Sequence, residues 1–133
     1  MARMEPPRVA VLGAGPVGLE AALCASALNL PFAVYERGRV GEHLRRWGHV
    51  RMFSPFGMNS TPLGRARIRA DQPQHPLPDA NAILTGREHL AVYLEPLALA
   101  PALTPAIHEG TAVLHVGRRG LLKGDHPGDA RRG

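Results

Sequence analysis

The first strong pattern along the chain is Arg8-Val9-Ala10-Val11-Leu12, a short apolar run closed by Gly13. A run of this length bounded by glycine predicts a buried strand. Residues 16–28 follow, rich in Ala, Leu and Glu, and predict a helix that Asn29-Leu30-Pro31 ends. Asn tolerates the left-handed conformation that helix termini use, and Pro cannot continue a helix. Phe32-Ala33-Val34-Tyr35 predicts a second strand ending at Glu36. Residues 8–36 therefore spell strand, glycine turn, helix, strand, the order of a right-handed βαβ unit.

Residues 37–81 show no clear periodicity and contain five prolines, so they are expected to be a loop-rich cover. A structureless stretch of this length inside a compact domain is normally one that binds or covers something. Thr85-Gly86-Arg87-Glu88 has the spacing of a capping box. The helix it opens, expected over 86–98, places Leu90, Tyr93, Leu94 and Leu97 on one face. Pro96 should kink or end it. Residues 111–116 predict a third strand, 117–120 a turn, and Leu121-Leu122 the start of a returning strand. The whole chain, 1–133, reads as one partial α/β domain with a Rossmann-like βαβ core, an incomplete three-layer parallel sheet and a long Pro/Gly-rich loop.

The chemistry concentrates in Gly13-Ala14-Gly15-Pro16-Val17-Gly18. In a GxGxxG turn the first glycine permits the tight exit from the strand. The second leaves room for a pyrophosphate against the backbone, and the third lets the helix pack close to the sheet. The helix N-terminus then presents unpaired N–H groups and the positive end of its dipole to the phosphates. Glu36 stands 21 residues beyond Gly15, at the end of the second strand. A carboxylate there accepts hydrogen bonds from the ribose hydroxyls of an adenosine and repels a 2′-phosphate. The site thus favours FAD or NAD over NADP.

Val-Ala-Val-Leu-Gly-Ala-Gly-Pro-Val-Gly-Leu-Glu-Ala-Ala, followed by Val-Tyr-Glu-Arg-Gly, resembles the N-terminal FAD fingerprint of two-dinucleotide-domain flavoproteins. These include flavin-containing monooxygenases and pyridine nucleotide-dependent FAD oxidoreductases. The resemblance is strong over residues 8–40 and moderate over 41–123, with Asn29 standing where the family's pattern often has Gly. It implies FAD as cofactor, NADPH or NADH as co-substrate of a full-length enzyme, and a small-molecule substrate. Gly41-Glu42-His43-Leu44-Arg45-Arg46-Trp47 resembles the stretch in which those enzymes carry a glycine-containing loop and a Trp near the cofactor. Arg37, Arg45, Arg46 and Trp47 join the turn residues and Glu36 as expected cofactor contacts on that basis. The family's second glycine fingerprint is absent, so the chain reads as the first third or so of such an enzyme, either truncated or in need of a partner chain.

Charge sharpens this picture. Residues 37–69 carry eight arginines and one acid, Glu42, so the net charge of this one segment exceeds the +5 of the whole chain. Trp47, Phe53 and Phe56 lie in it too. Arg can neutralise a pyrophosphate with forked hydrogen bonds, and a flavin ring needs flat apolar company. Single-stranded nucleic acid is bound by similar residues, but no nucleic-acid module surrounds these. The seven histidines are scattered without metal-binding spacing, and His49, between Trp47 and Phe53, is the one nearest the expected site. The single cysteine, Cys24, is expected on the core side of the first helix. It excludes an internal disulfide and the paired-cysteine chemistry of disulfide reductases. Glycines and a glutamate interrupt the apolar stretch Val9–Leu30, so neither a signal peptide nor a membrane span is expected, and a cytoplasmic location is. The expected function is the FAD-binding part of an NAD(P)H-dependent flavin oxidoreductase, the monooxygenase type included. The alternatives are a non-catalytic dinucleotide-binding fragment or an NAD-dependent dehydrogenase. The sequence names no general acid or base.

Overall fold

The computed structural model describes residues 8–120. Strand β1 (Val9–Leu12) leads through the glycine turn into helix α1 (Pro16–Ala27), which returns to strand β2 (Phe32–Tyr35). The two strands pair in parallel, Val9 against Phe32 and Val11 against Val34. Strand β3 (Ile107–His108) adds in parallel on the far side of β2, giving the order β1-β2-β3.

The pleat decides which residues enter the core. Val9, Val11, Phe32, Val34 and Ile107 fall on one face and pack with Leu19, Ala22 and Leu23 of α1. Burial of each such Leu or Val contributes about 1.5–3 kcal/mol. Ala10, Leu12, Ala33, Tyr35 and His108 fall on the other face, where Leu12 is 53% exposed and Tyr35 stacks on His108. Cys24, expected on the core side of α1, instead faces solvent. The helix buries positions 19, 22, 23 and 25, and at about 100° per residue position 24 falls on the opposite side of the helix from the centre of that face.

Helix α1 stops as its sequence predicts. Asn29 takes the left-handed conformation at φ +54°, the Asn29 N–H donates to Ser26 O, and the Leu30 N–H reaches back to Ala25 O. This pair of bonds is a Schellman motif, with Asn in the place of the usual glycine.

The segment 37–81 holds more regular structure than its lack of periodicity suggests. It contains α2 (Glu42–Arg46) and α3 (Pro62–Asp71). Thr61 caps α3 by accepting from the Gly64 N–H, and Pro62 occupies the first helical position. The helix buries only Gly64 and Ile68, so it has almost no apolar stripe to read. The stretch before it is held by backbone bonds to the segment 80–87, including Met52 N to Leu84 O and Phe56 N to Ala82 O at 2.8 Å. Non-local pairing of this kind leaves no local signature.

Thr85 and Glu88 form the capping box, each side chain accepting from the other's backbone N–H. Helix α4 (Gly86–His89) continues through a π-helical turn (Leu90–Leu94) into α5 (Glu95–Ala98). Pro96 explains the turn. It has no N–H to donate, so the ladder slips and Glu95 N–H reaches Leu90 O. The Val92 carbonyl is taken instead by His75 Nε2–H at 2.8 Å, and Gln72 donates to Pro96 O. The helix is thus kinked without being ended, and Leu90, Tyr93, Leu94 and Leu97 are all buried.

Residues 111–116 form no strand, so the third strand lies earlier than predicted, at Ile107–His108. Thr111 N instead bonds Glu36 O, and Gly110 N bonds Gly38 O, which draws the chain across the end of β2. The return strand predicted at Leu121-Leu122 lies outside the described residues.

Candidate dinucleotide site

The site forms where β1 and β2 end. Gly13 leaves β1 at φ +102°, a region open to glycine alone, and its N–H donates to Tyr35 O. Gly18 is fixed by contact: a Cβ there would lie 1.9 Å from the Gly13 carbonyl oxygen. Gly15 is different. A Cβ there would meet nothing within 4 Å, and its φ of −85° suits any residue. Neither backbone strain nor the protein's own packing requires a glycine at this position. A ligand lying against the backbone would.

Glu36 is held beside the turn. Its Oε2 accepts from Ala14 N–H and its Oε1 from Gly38 N–H, both at 2.8 Å. Each carboxylate oxygen keeps a further lone pair for a ribose hydroxyl. The loop after β2 is locked on both sides. Gly41 N–H donates to Ala14 O, and Val40 N–H donates to the Glu109 carboxylate at 2.7 Å.

Two cavities meet at the first turn of α1. One, of about 180 Å³, is lined by Gly15, Glu36, Arg37, Glu42, His43 and Arg46. The other, of about 440 Å³, has Pro16, Val17, Trp47, Met52, Met58 and His89 among its walls. The smaller is lined by two carboxylates, Glu36 and Glu42, and two guanidiniums, Arg37 and Arg46. The larger is mostly apolar, with Glu20 and Thr61 on one side. Glu42 at the smaller cavity is held below the usual carboxylate range, chiefly by the Arg39 backbone N–H it accepts.

The predicted site residues separate accordingly. Gly15, Glu36, Arg37 and Arg46 come together at one cavity. Pro16, Val17 and Trp47 come together at the other. Gly13 meets Glu36 and Arg37 at a third cavity of about 300 Å³, and Ala14 and Gly18 build the turn from behind. Arg45 is not brought to either cavity. Its guanidinium pairs with Glu95 at 2.8 Å and reaches Val40 O at 3.3 Å, because successive residues of α2 point about 100° apart. His49 is exposed and lines neither cavity. Trp47 is half-buried, with His43 at its edge and Gly86 beneath it; a Cβ at Gly86 would come within 2.6 Å of the indole.

Sequence reasoning passed over the buried wall of the larger cavity. The Tyr93 hydroxyl donates to Glu20 Oε1, Thr61 Oγ1 donates to Glu20 Oε2, and Thr61 N–H donates to the Tyr93 oxygen. Burial, with the Glu20 carboxylate beside it, pushes the Tyr93 phenol up to about 12. His89 is 2% exposed, packed between Phe56 and Tyr93, and burial lowers its pKa below the ordinary value. Thr61 before Pro62 has the local form of a helix start that the loop-rich reading of 37–81 did not use, and His89 sits four residues before Tyr93 on the buried face of its helix. Glu20 carried no signal beyond a polar residue in an apolar helix.

A parallel sheet, a glycine turn into a helix and an acid at the end of the second strand give this unit a Rossmann-like fold, with its crevice at the C-terminal ends of the strands. Solved structures agree with that fold. The oxidized steroid monooxygenase bound to NADP superimposes with a TM-score of 0.58 at 24% identity, over 78% of this chain and 20% of that one. OTEMO in complex with FAD and NADP gives a TM-score of 0.56 at 18% identity, over 80% of this chain and 20% of its own. The chain therefore spans about 20% of the length of the structures it matches. No protein-family model matches the chain, and no curated protein does.

Proposed function

We propose that the chain is the FAD-binding part of an NAD(P)H-dependent flavin oxidoreductase of monooxygenase type. The observation that carries this reading is the open face at Gly15, unneeded by the fold, standing between Glu36 and an apolar cavity with an aromatic wall. Glu36 would take the ribose hydroxyls of the adenosine. The first turn of α1, with Arg46 beside it, would hold the pyrophosphate, and Trp47, Met52 and Val17 would enclose the ring. When bound, the flavin supplies hydride acceptance and oxygen chemistry that no side chain here can perform. The protein's own contribution is to bind, orient and shield from water. Small-molecule substrate and nicotinamide co-substrate belong to the whole protein. Both structures named above carry NADP, and one carries FAD as well, which supports the assignment of partners.

Adding FAD to the purified chain tests this directly. Protein that stays yellow through gel filtration, with quenched flavin fluorescence, is the expected result. Protein that comes through colourless and shows no ADP binding overturns the reading. A second arrangement has its own support: the outer edge of β1 carries no partner strand among the described residues, and Ala10 and Leu12 are exposed beside it. Such an edge accepts a further strand. FAD retention that appears only when a complementing chain is added would favour this arrangement. None of the described helices is long and apolar enough to cross a membrane.

A further inference from the structure

The apolar cavity holds one feature that its packing does not account for. His89 lines it, is 2% exposed, and its Nδ1 has no hydrogen-bond partner among the described residues. A buried polar atom left unpaired forfeits its solvation without return, so native structures rarely keep one without use. The ring is gripped by stacking alone: Phe56 meets it edge-on at 6.2 Å, and Tyr93 lies tilted against it at 5.4 Å. No hydrogen bond fixes which ring edge faces the cavity. A rotation about the last side-chain torsion can turn either nitrogen toward a ligand at little cost. A purely structural position in this aromatic cluster would be served as well by Phe or Leu, which bring no unpaired atom.

We propose that His89 is the polar anchor of the ring-binding cavity, hydrogen-bonding the heteroatom edge of a flat, fused-ring ligand whose apolar faces rest on Trp47, Met52 and Val17. This rests on the flavin reading and names the residue that fixes the ring's orientation within it. The imidazole is kept neutral by burial, so it can donate through one nitrogen and accept through the other. An isoalloxazine edge, which alternates carbonyl acceptors with a ring N–H and ring nitrogens, matches that capacity. Glu20 and the Tyr93 hydroxyl already satisfy one another and Thr61 at the neighbouring wall. Ser60 Oγ, which also lines the cavity, donates to Phe56 O and accepts from Arg65, and the Asn59 amide is engaged by Ser54 and Pro55, so among the described residues the anchoring of a ring falls to His89.

Binding of two half-ligands to the full chain separates this from the cofactor assignment. ADP probes the Gly15–Glu36 cavity, and lumiflavin, a flavin ring without adenosine, probes the Trp47–His89 cavity. His89→Phe should bind ADP as the wild type does and lumiflavin about tenfold more weakly, the loss expected of one buried hydrogen bond. His89→Gln, which restores a donor and an acceptor, should stay within about threefold of the wild type. Unchanged lumiflavin affinity in His89→Phe with ADP binding intact overturns the anchor and leaves the FAD reading standing. Lumiflavin that fails to bind the wild type while ADP binds does the same. If neither probe binds the wild type, the anchor and the FAD reading fall together. Should His89→Phe lose ADP through misfolding, the smaller apolar variant His89→Leu carries the comparison on the same terms.

Discussion

Gly15 and Gly18 stand three residues apart in one motif, yet the structure assigns their requirement to different causes. At Gly18 an added Cβ would lie 1.9 Å from the Gly13 carbonyl oxygen, a backbone atom that cannot rotate away. Gly18→Ala must push α1 off the sheet by more than an ångström. Overpacking of this kind costs about 1–3 kcal/mol, against about 1 kcal/mol regained from the better helix propensity of Ala. The net loss should lower Tm by several degrees, at about 4 °C per kcal/mol for a domain of this size. At Gly15 the same methyl meets nothing within 4 Å and the backbone conformation is an ordinary one. Gly15→Ala should leave Tm unchanged or raise it by a few degrees, from the ~0.4–1 kcal/mol gained when the unfolded chain loses freedom. Gly15→Val should also fold, and should lose ADP and FAD binding by about tenfold or more, because its side chain fills the space of the pyrophosphate. Thermal melts and ADP titrations on the three variants decide the matter. Wild-type ADP affinity in folded Gly15→Val would show that the open face at Gly15 is not a binding surface. An unchanged Tm in Gly18→Ala would refute the packing argument.

Glu36→Gln should weaken ADP and FAD binding by about tenfold, the worth of hydrogen bonds to a charged acceptor, and should narrow the preference for FAD over NADP; titration with both ligands checks it. Arg46→Ala should weaken ADP binding mainly at low ionic strength. Arg45→Ala, whose guanidinium is engaged with Glu95, should leave it unchanged; a salt series on each variant distinguishes them. His89 has its pKa lowered by burial, so the folded chain takes up its proton later than the unfolded chain does. Its contribution is present above the unfolded value of about 6.5 and is lost as pH falls below it toward the folded value. Melts in that window should show Tm falling more steeply for the wild type than for His89→Gln, and parallel curves would contradict the shift.

The sequence by itself determined the parts of this protein whose physics is local. Gly13 and Gly18 announce a turn because a tight exit from a strand and a close helix need them at that spacing, and Gly15 between them leaves the face of the turn open. Asn29-Leu30-Pro31 announces a helix stop, Thr85 with Glu88 a helix start, and Glu36 an acid at the end of a strand. Each of these signals is complete within a few residues. The tertiary structure decided what depends on distant partners. Residues 48–57 are ordered by backbone bonds to 80–87, and α3 is held by a cap and two buried residues, so neither leaves a periodic pattern. The third strand moved to Ile107–His108 because Thr111 and Gly110 turn to bond the loop after β2 instead of extending the ladder. Arg45 and Arg46 are neighbours of one kind in the sequence, and only the rotation of a helix sends one to Glu95 and the other to the Gly15 cavity. Glu20, Thr61 and the pair His89 and Tyr93 come from three separate segments. A polar cluster assembled across that much chain is defined by which side chains meet in space, and a linear reading does not contain that information.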